Sequence, residues 1–326
     1  MTELPHFDQI LVIPRLRVQN ANAISGSLTH GFPAISAFIG LMWALERKMH
    51  AAGMDLMLNA VGVVAHGYEE LVTDDYYAKS FRLTRNPIGK DGSTAAIVEE
   101  GRMHMTISLV FALQSQSLND HEQAQNTALQ IKQLIEEMRI AGGTVLPQPG
   151  AQKRFTPYIL PISSDGETRY EQFAKLKRHL LPGFALVERQ DLLDQRFEEM
   201  RNQTPDCTRL DAWLSLSRFN WRWQTDGENP EKAGWQHDRK GWIVPIPLGY
   251  GALTELQAAG TVANARDMQT DFRFVESLYG IGQWISPHRL QEIQQLLWYA
   301  EYQPDNGVYR CKNGFVYSLT PEFDYD

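Results

Sequence analysis

Residues 105–113 are Met-Thr-Ile-Ser-Leu-Val-Phe-Ala-Leu, and they show the clearest secondary-structure pattern in the chain. Large apolar side chains alternate there with smaller residues, at Met105, Ile107, Leu109, Phe111 and Leu113. An alternation with a period of two is typical of a β-strand that turns one face toward a hydrophobic core. We therefore predict a strand here, with neighbouring elements that cover its apolar face.

Two amphipathic helices lie on either side of this strand in the sequence. In the first, apolar residues recur at steps of three and four between Pro33 and Gly53, and in the second the same spacing ends at Gly142 and Gly143. Glycine is a common helix end because it adopts the left-handed conformation freely. The apolar positions are Ile35, Phe38, Met42, Leu45 and Met49 in the first helix and Ala124, Ala128, Ile131, Ile135 and Met138 in the second.

Three further strands complete the N-terminal half. Residues 10–14 form a short run rich in β-branched residues that we expect to end at Pro14, and residues 57–66 form another. The last strand is either 144–146 or 156–162. The order strand-helix-strand-strand-helix-strand is typical of the ferredoxin-like (RRM-like, split βαβ) arrangement of many RNA-binding proteins. We therefore predict an α+β fold with a ferredoxin-like RNA-binding domain over 1–162 and a long insert at about 67–104.

The C-terminal half, residues 163–326, is less regular. Its sequence predicts helices near 169–181 and 190–202, followed by a segment at 213–242 that holds five of the eight tryptophans. Farther on, Asn313-Gly314 between two β-prone runs predicts a hairpin with a two-residue turn over 308–319. We expect these elements to form a second α/β lobe, rich in strands and tryptophan, that packs on the first domain.

The composition excludes several classes of protein. The 326 residues include 31 Lys and Arg against 39 Asp and Glu, so the formal charge of −8 gives no overall field that attracts nucleic acid. The two cysteines, at 207 and 311, are too few for a disulfide framework, which is typical of a cytoplasmic protein. We recognise no signal peptide, no membrane-length apolar run and none of the P-loop, Rossmann, zinc-protease, α/β-hydrolase or kinase motifs. Histidines and acidic residues are scattered, so we expect neither a metal site nor a cofactor.

The most informative segment is 15–33, which we expect to be a long loop leading into the first helix. No acidic residue occurs between Asp8 and Glu46, and the segment is rich in side chains that suit nucleic acid. Arg contacts phosphates, Asn and Gln pair with base edges, and a helix N-terminus favours anions. The alternative is an ordinary polar surface loop. The candidate RNA-binding residues here are Arg15, Arg17, Gln19, Asn20, Asn22, Ser25, His30 and Phe32.

Two other segments combine positive charge with a suitable local structure. Arg82 and Arg85 lie in the 67–104 insert, which we interpret as a protruding hairpin able to close over a single strand, although charge runs are also ordinary solvated surface. In Arg-Phe-Asn-Trp-Arg-Trp at 218–223, strand alternation places Arg218 and Arg222 on one face and three aromatic residues on the other. We expect the tryptophans to be buried and the arginines to be exposed.

Long segments at both ends of the chain resemble the Csy-two family of type I-F CRISPR complexes, in the Cas-five branch of the RAMP superfamily. The first segment is PRLRVQNANAIS at 14–25, continued by LTHGFP at 28–33. The second includes 244–251, Arg266-Asp267, and RFVESLYG at 273–280 through WISPHRL at 284–290. The basic residues of this second segment join the candidate RNA-binding residues, namely Arg266, Arg273, His288 and Arg289.

This resemblance implies a non-catalytic subunit that binds the 5′ handle of CRISPR RNA. In this subtype a separate ribonuclease cuts the precursor of the CRISPR RNA, so the resemblance argues against catalysis by this chain. The implied protein partners are the large Csy-one (Cas-eight-like) subunit and the Csy-three (Cas-seven-like) backbone subunits, with target DNA reached through the complex.

Two alternative functions come from other classes. One is a metal-independent endoribonuclease in which His30 is the general base and Arg15 stabilises the transition state. The other is a protein-only adaptor in which the Trp-rich lobe docks a partner.

Overall fold

The computed structural model describes residues 4–115, 118, 120–147, 153–224, 234–265 and 267–316. Five α-helices occur in these ranges: α1 Ile35–Ala51, α2 His121–Glu136, α3 Gly166–Leu180, α4 Gln190–Gln203 and α5 Arg209–Leu216. The first nine strands are β1 Gln9–Asn22, β2 Ile24–Gly26, β3 Thr29–His30, β4 Met57–Glu70, β5 Val72–Asp75, β6 Ala78–Arg85, β7 Ile97–Glu100, β8 Arg102–Gln114 and β9 Arg139–Ile140. The next nine are β10 Gly143–Leu146, β11 Tyr158–Pro161, β12 Phe184–Glu188, β13 Trp221–Gln224, β14 Gly234–His237, β15 Trp242–Ala252, β16 Val275–Ile285, β17 Leu297–Gln303 and β18 Val308–Asn313.

Most strands belong to one antiparallel sheet of eleven strands. Its order is β12-β16-β15-β18-β17-β4-β8-β1-β10-β9, with β11 also paired to β1. Helices pack on this sheet, so the predicted α+β class is confirmed. The predicted helices at 33–53, 124–138, 169–181 and 190–202 correspond to α1, α2, α3 and α4. The expectation that Gly142 and Gly143 end the second helix is wrong, because α2 ends at Glu136 and the two glycines lie between and within the paired strands β9 and β10.

The strand at 105–113 lies in the middle of the sheet, within β8, and is buried on both faces. Its large alternating residues, Met105 through Leu113, face the core cluster that also contains the apolar stripes of α1 and α2. Val110 and Ala112 face a second cluster, which includes Phe173, Leu176 and Leu180 of α3. The apolar alternation therefore identified the primary core face, while small apolar residues on the other face allow α3 to pack closely.

The strands around β8 have the order β10 and β11, then β1, β8 and β4. Both candidates for the last strand of the N-terminal half are present, because β10 pairs with residues 17–19 of β1 and β11 pairs with residues 9–12. Each short strand therefore covers a different part of the same edge of β1.

The expectation that the first strand ends at Pro14 is wrong. β1 continues to Asn22, and only a short β2–β3 hairpin separates it from α1. Its pairing with β8 shifts register between Ile13 and Leu16 and again between Val18 and Ala21. Arg15 and Asn20 have positive φ values of 56° and 57° at these two irregularities. A bulge accommodates proline because the missing N–H is not needed there, so the strand passes Pro14 instead of stopping.

The strands of the C-terminal half join the free edge of β4. β17 pairs with Val61 and Gly62, and β12 pairs with Val64 and Ala65 on that same edge. Since β12 is also linked through β16, β15 and β18 to β17, these strands and β4 form a closed ring of pairings. The Trp298 side chain is fully buried and donates from Nε1 to the Leu186 carbonyl at 2.8 Å, which ties β17 to β12.

The insert is shorter than the predicted range of 67–104. It spans only 71–101, because β4 extends to Glu70 and β8 begins at Arg102. Its described strands β5, β6 and β7 pair with one another in a separate small sheet. Tyr76 and Tyr77 at the β5–β6 turn are 94% and 95% exposed. The expected protruding hairpin is thus the first two strands of a three-stranded projection.

The Trp-rich segment differs from the prediction in two ways. Within 218–223, the strand β13 begins only at Trp221, after α5 has ended at Leu216, so Arg218 does not share a strand face with Arg222. Trp221 and Trp223 are each 56% exposed, so the expectation that they are buried is wrong. The reason is that β13 pairs with β14 alone and not with the main sheet.

The predicted hairpin at 308–319 forms only its first strand within the described residues. β18 ends at Asn313, and Gly314 instead donates its N–H to the Leu297 carbonyl of β17 at 3.0 Å. Phe315 and Val316 are not in a strand, and residues 317–319 lie outside the described part of the chain.

Candidate nucleic-acid interface

One part of the central sheet is open to solvent. Helix α3 covers the face that contains Ile10 and Val12, but it does not extend to the far ends of β1, β4 and β8. The exposed surface there is a concavity of about 340 Å³. We call it the polar groove and define it by Arg17, Gln19, Tyr68, His104 and Thr106, with Gly67 and Glu69 beside them.

Strand alternation explains why polar side chains point into this groove. Val18 lies opposite Met105, and both face the core, whereas Arg17 lies opposite Thr106 on the other face. The two bulges in β1 change the direction in which the side chains between them point, as bulges commonly do beside binding sites. The strand that was expected to be a loop therefore presents Arg17 and Gln19 from a rigid element.

His104 is held in a defined orientation in the groove. The backbone N–H of Asn20, at the second bulge, donates to His104 Nδ1 at 3.2 Å. Since Nδ1 accepts this hydrogen bond, the neutral imidazole carries its proton on Nε2. His104 therefore offers a donor through Nε2, next to the amide of Gln19 and the guanidinium of Arg17.

A second concavity lies where β2, β3 and the start of α1 meet β15. It has a volume of about 230 Å³ and is lined by aromatic residues, prolines and aliphatic side chains, with a few polar groups. Phe32 forms part of it and packs edge-on against Trp284, with ring centroids 4.9 Å apart. We call it the aromatic cleft and define it by Ser25, His30, Phe32, Tyr68, Glu70, Trp242 and Trp284.

The rim of the aromatic cleft carries a hydrogen bond between side chains. His30 Nδ1 lies 3.0 Å from Glu70 Oε1, and the His30 ring packs edge-on against Phe81 of β6 at 5.7 Å. Tyr68 contributes to both concavities, but it pairs with Met105 on the core side of β8, whereas Glu69 pairs with His104, so the polar groove and the aromatic cleft lie on opposite faces of the sheet.

Arg15 lies outside both concavities and has structural contacts. Its Nη2 donates to the carbonyls of Leu181 and Pro182 at 3.0 and 3.2 Å, and its N–H donates to the Ser108 hydroxyl. Burial, and then the charge of Arg154, lower the pKa of the guanidinium, which still remains charged.

His66 completes this contact region. Its Nδ1 donates to the Pro182 carbonyl at 2.7 Å, and its Nε2 accepts from the Ser108 hydroxyl at 2.6 Å. Burial, with a smaller contribution from the charge of Arg15, lowers the pKa of His66 to about 4. The imidazole is therefore neutral at pH 7, and its two hydrogen bonds connect the Pro182 carbonyl to the Ser108 hydroxyl of β8.

Comparison with known proteins decides the family. The model of the family described as "CRISPR-associated protein (Cas_Csy2)" matches residues 11–311. The chain belongs to the Csy2 family. A protein of Pseudomonas aeruginosa (strain UCBPP-PA14), "CRISPR-associated protein Csy2", is 44% identical over 313 residues, which cover 93% of this chain and 94% of that protein. The resemblance to the Csy-two family is thus confirmed, and this Csy2-family chain belongs to a type I-F CRISPR system.

The other candidates from the first segment have mainly local partners in this Csy2-family chain. The Asn22 side chain accepts from the Ile24 N–H at 3.1 Å and donates to the Ile24 carbonyl at 2.7 Å, which closes the turn into β2. The Ser25 hydroxyl donates to Thr29 Oγ1 at 2.9 Å within the β2–β3 hairpin. These contacts shape the hairpin that forms one wall of the aromatic cleft.

The remaining predicted residues are dispersed over this Csy2-family chain and are not part of either concavity. Arg82 and Arg85 are exposed on β6, and Arg218 and Arg222 are exposed near the β13–β14 hairpin. Arg273 is partly buried beside Gly307, whereas His288 and Arg289 are exposed in one short 3-10 turn, Pro287–Arg289. Arg266 lies outside the described residues.

Sequence reasoning missed several residues of the two concavities. His104, Thr106, Tyr68 and Glu70 lie on strands whose length was underestimated, and Trp242 begins β15. The alternation of β8 contained a signal for two of them, because it places His104 and Thr106 opposite to the core face. No comparable signal links Trp242 to residues more than 170 positions earlier.

Within the described part of the Csy2-family chain, no three His, Cys, Asp or Glu side chains are grouped so that they could hold a metal ion. None of the described helices has both the length and the apolar character that a membrane span requires.

Proposed function

We propose that this chain is a non-catalytic, cytoplasmic subunit of a type I-F CRISPR complex and that it binds the 5′ handle of CRISPR RNA in the polar groove. The observation that carries the proposal is the open sheet face on which Arg17, Gln19 and His104 come together. RNA recognition commonly combines phosphate contacts with readout of the edges of unpaired bases.

The strand order supports a ferredoxin-like unit at the N-terminal end. Helices α1 and α2 pack on one face of β10/β11, β1, β8 and β4, and in chain order these strands are the fourth, first, third and second of the unit. This is the order expected from a split βαβ arrangement, in which two helices on one face leave the other face available. We propose that the unit extends to about residue 162 and that the rest of the chain is a second lobe packed on it.

The residues in the polar groove have complementary chemical roles. Arg17 is a charge-assisted donor for a phosphate, while Gln19 offers an amide donor and acceptor, and His104 a donor, to base edges. Glu69 restricts where a phosphate can lie, because like charges repel. The net charge of −8 is compatible with such a site when the positive charge is local.

The β5–β7 projection is a second contact region in this proposal. It arises between β4 and β8, next to the groove, and carries Arg82 and Arg85 exposed on β6. We propose that Arg218, Arg222, Arg273, His288 and Arg289 contribute to more distant parts of the RNA path or to contacts within the complex.

The partners follow from the family. We propose that the chain pairs with the large Csy-one (Cas-eight-like) subunit and adjoins the Csy-three (Cas-seven-like) backbone subunits, and that it meets target DNA only through the complex.

The endoribonuclease alternative is less well supported. It requires His30 and Arg15 at one scissile bond, but His30 pairs with Glu70 at the aromatic cleft and Arg15 bonds to the carbonyl groups after α3. The test is to incubate the purified protein with end-labelled repeat RNA. Retention of intact RNA on the protein supports the proposal, and cleavage that disappears in His30→Ala contradicts it.

A further inference from the structure

The aromatic cleft lies on the same face of the sheet as α1, away from the polar groove. Tyr68 and Glu70 pair with Met105 and Met103 of β8, which belong to the core cluster that contains the apolar stripe of α1. The cleft is therefore independent of RNA in the groove. We propose that it binds the guanidinium side chain of an arginine from a protein partner of this chain.

The charges around the cleft favour a cation. Among the described residues that line it, Glu70 is the one carboxylate, and there is no lysine or arginine. His30 Nδ1 lies 3.0 Å from one oxygen of Glu70, which orients the carboxylate and leaves its second oxygen to accept a hydrogen bond. The N-terminal end of α1 also reaches the cleft, but its partial charge is only about half a unit, whereas Glu70 carries a full negative charge.

The wall formed by β15 offers hydrogen-bond acceptors without donors. Pro245 and Pro247 line the cleft and have no N–H. The N–H of Ile243, two positions earlier, donates to the Gly241 carbonyl at 3.1 Å and is not directed at β16. By strand alternation, the carbonyls of both prolines also point away from β16. In the described pairings β18 joins β15 only at Gly249–Gly251, so these two carbonyls remain available on the cleft side.

The aromatic wall suits an arginine better than a compact ammonium ion. The Trp242 side chain is 45% exposed, and the centroids of the Phe184 and Trp284 rings lie 5.5 and 6.1 Å from its own. A planar guanidinium stacks on such a supported indole, whereas a lysine ammonium is a strongly hydrated point charge. The five N–H donors of a guanidinium match the carboxylate and carbonyl acceptors, and its methylene groups pack on apolar walls.

The mouth of the cleft favours a protein-bound arginine over a free small molecule. Phe184, which packs on Trp242 but does not line the cleft, is itself 43% exposed. A free ligand would leave these two neighbouring rings in contact with water. An arginine carried by a partner surface covers them as it enters, and Trp and Arg are the residues that contribute most at protein interfaces.

The first test titrates the full chain, separated from its partners, with N-acetyl-arginine N-methylamide. Fluorine NMR of protein labelled with 5-fluorotryptophan follows the Trp242 signal, which is assigned with Trp242→Phe. We expect a saturable shift with this probe and none with the citrulline analogue, which has nearly the same shape but no charge.

A matched pair of variants tests the carboxylate. Glu70→Gln is expected to weaken binding of the arginine probe roughly 10- to 150-fold, the range for loss of one hydrogen bond to a charged group. Glu69→Gln is the control, because the neighbouring carboxylate lines the polar groove on the opposite face. Its affinity for the probe is expected to equal that of the wild type.

The second test identifies the natural occupant in the complex purified gently from cells. Phe184 is replaced by the photo-cross-linker p-benzoylphenylalanine, and the cross-linked segment is sequenced by mass spectrometry. We expect a partner-protein segment that contains an arginine. Substitution of that arginine with alanine is expected to weaken retention of the partner as much as Glu70→Gln does, with no further loss when both changes are combined.

Either of two results overturns the inference. One is that the arginine probe shifts the Trp242 signal no more than the citrulline probe does. The other is a cross-link to RNA or to a protein segment without arginine. Neither result bears on the proposed RNA site, because the polar groove lies on the opposite face of the sheet.

Discussion

The Arg15 guanidinium donates a hydrogen bond of 3.0 Å to the carbonyl of Leu181, which lies 166 positions farther along the chain. This contact joins the first bulge of β1 to the segment that follows α3. A residue that suits a phosphate by its charge therefore connects two distant parts of the fold. The neighbouring arginine, Arg17, lies in the polar groove instead.

Arg15→Ala is expected to destabilise the protein by roughly 1.5–3 kcal/mol, the usual range for a hydrogen bond that involves a charged group. RNA affinity of the folded variant is expected to match the wild type. Urea unfolding gives the stability and filter binding gives the affinity. An unchanged unfolding midpoint together with weakened RNA binding would assign Arg15 to the RNA site after all.

The buried His66 makes stability depend on pH. Its pKa is about 4 in the folded chain, whereas an unperturbed histidine has a pKa near 6.5. The unfolded chain therefore binds more protons between these values, and stability increases with pH over that window. The contribution is complete above about pH 6.5 and is lost as the pH falls toward 4.

The corresponding experiment compares urea unfolding of the wild type and His66→Gln at pH 4.5 and pH 7.5. We expect the wild type to lose roughly 2–3 kcal/mol more than the variant on going to the lower pH, after other groups have cancelled in the comparison. Equal pH dependence of the two proteins would show that His66 titrates normally in the folded state.

Arg17→Ala is expected to weaken RNA binding and to reduce its salt dependence. Neutralising one phosphate on a single strand contributes a slope of roughly 0.7 in log affinity against log salt. Measurements at several salt concentrations give this slope. Arg17→Lys is expected to retain most of it, and Arg47→Ala, on the exposed face of α1, is the matched control. A slope in Arg17→Ala equal to that of the wild type would contradict a phosphate contact.

Gln19→Ala tests the neutral part of the polar groove. Loss of one uncharged hydrogen bond is expected to reduce the binding free energy by roughly 0.5–1.5 kcal/mol. The salt slope is expected to stay the same, because no charge is removed. The combination of lower affinity with an unchanged slope distinguishes a base contact from a phosphate contact, and a changed slope would argue against it.

The sequence predicted the elements whose signals are local. The alternation around Leu109 and the stripe around Met42 correspond to buried faces of β8 and α1, and Gly53 follows the end of α1 with a φ of 79°. These signals depend on side chains within one strand or helix, so a window of a dozen residues contains them.

Long-range pairing explains most of what the sequence did not predict. A proline normally ends a strand, but the register shift in the β1–β8 pairing accommodates Pro14. The position of this shift depends on the partner residues near 107 in β8. The two tryptophans of β13 alternate as in a buried strand, yet their hairpin has no pairing with the main sheet. In both cases the partner strand, and not the local pattern, determines the outcome.

The candidate site could be predicted only in part, because it too depends on pairing between distant strands. The segment at 15–33 supplied Arg17 and Gln19 to the polar groove and Ser25, His30 and Phe32 to the aromatic cleft. Its composition indicated polar recognition but could not separate Arg15 from Arg17. The bulge at Arg15 changes which of these side chains faces the groove.

The most direct test of the central claim is to purify the protein gently from its own cells and to sequence the RNA that accompanies it. The proposed function predicts short RNAs that share one repeat-derived 5′ end, and it predicts that Arg17→Ala recovers less of them than Arg47→Ala. Absence of RNA, or a random mixture of cellular RNA, would contradict handle binding and would favour the protein-only adaptor.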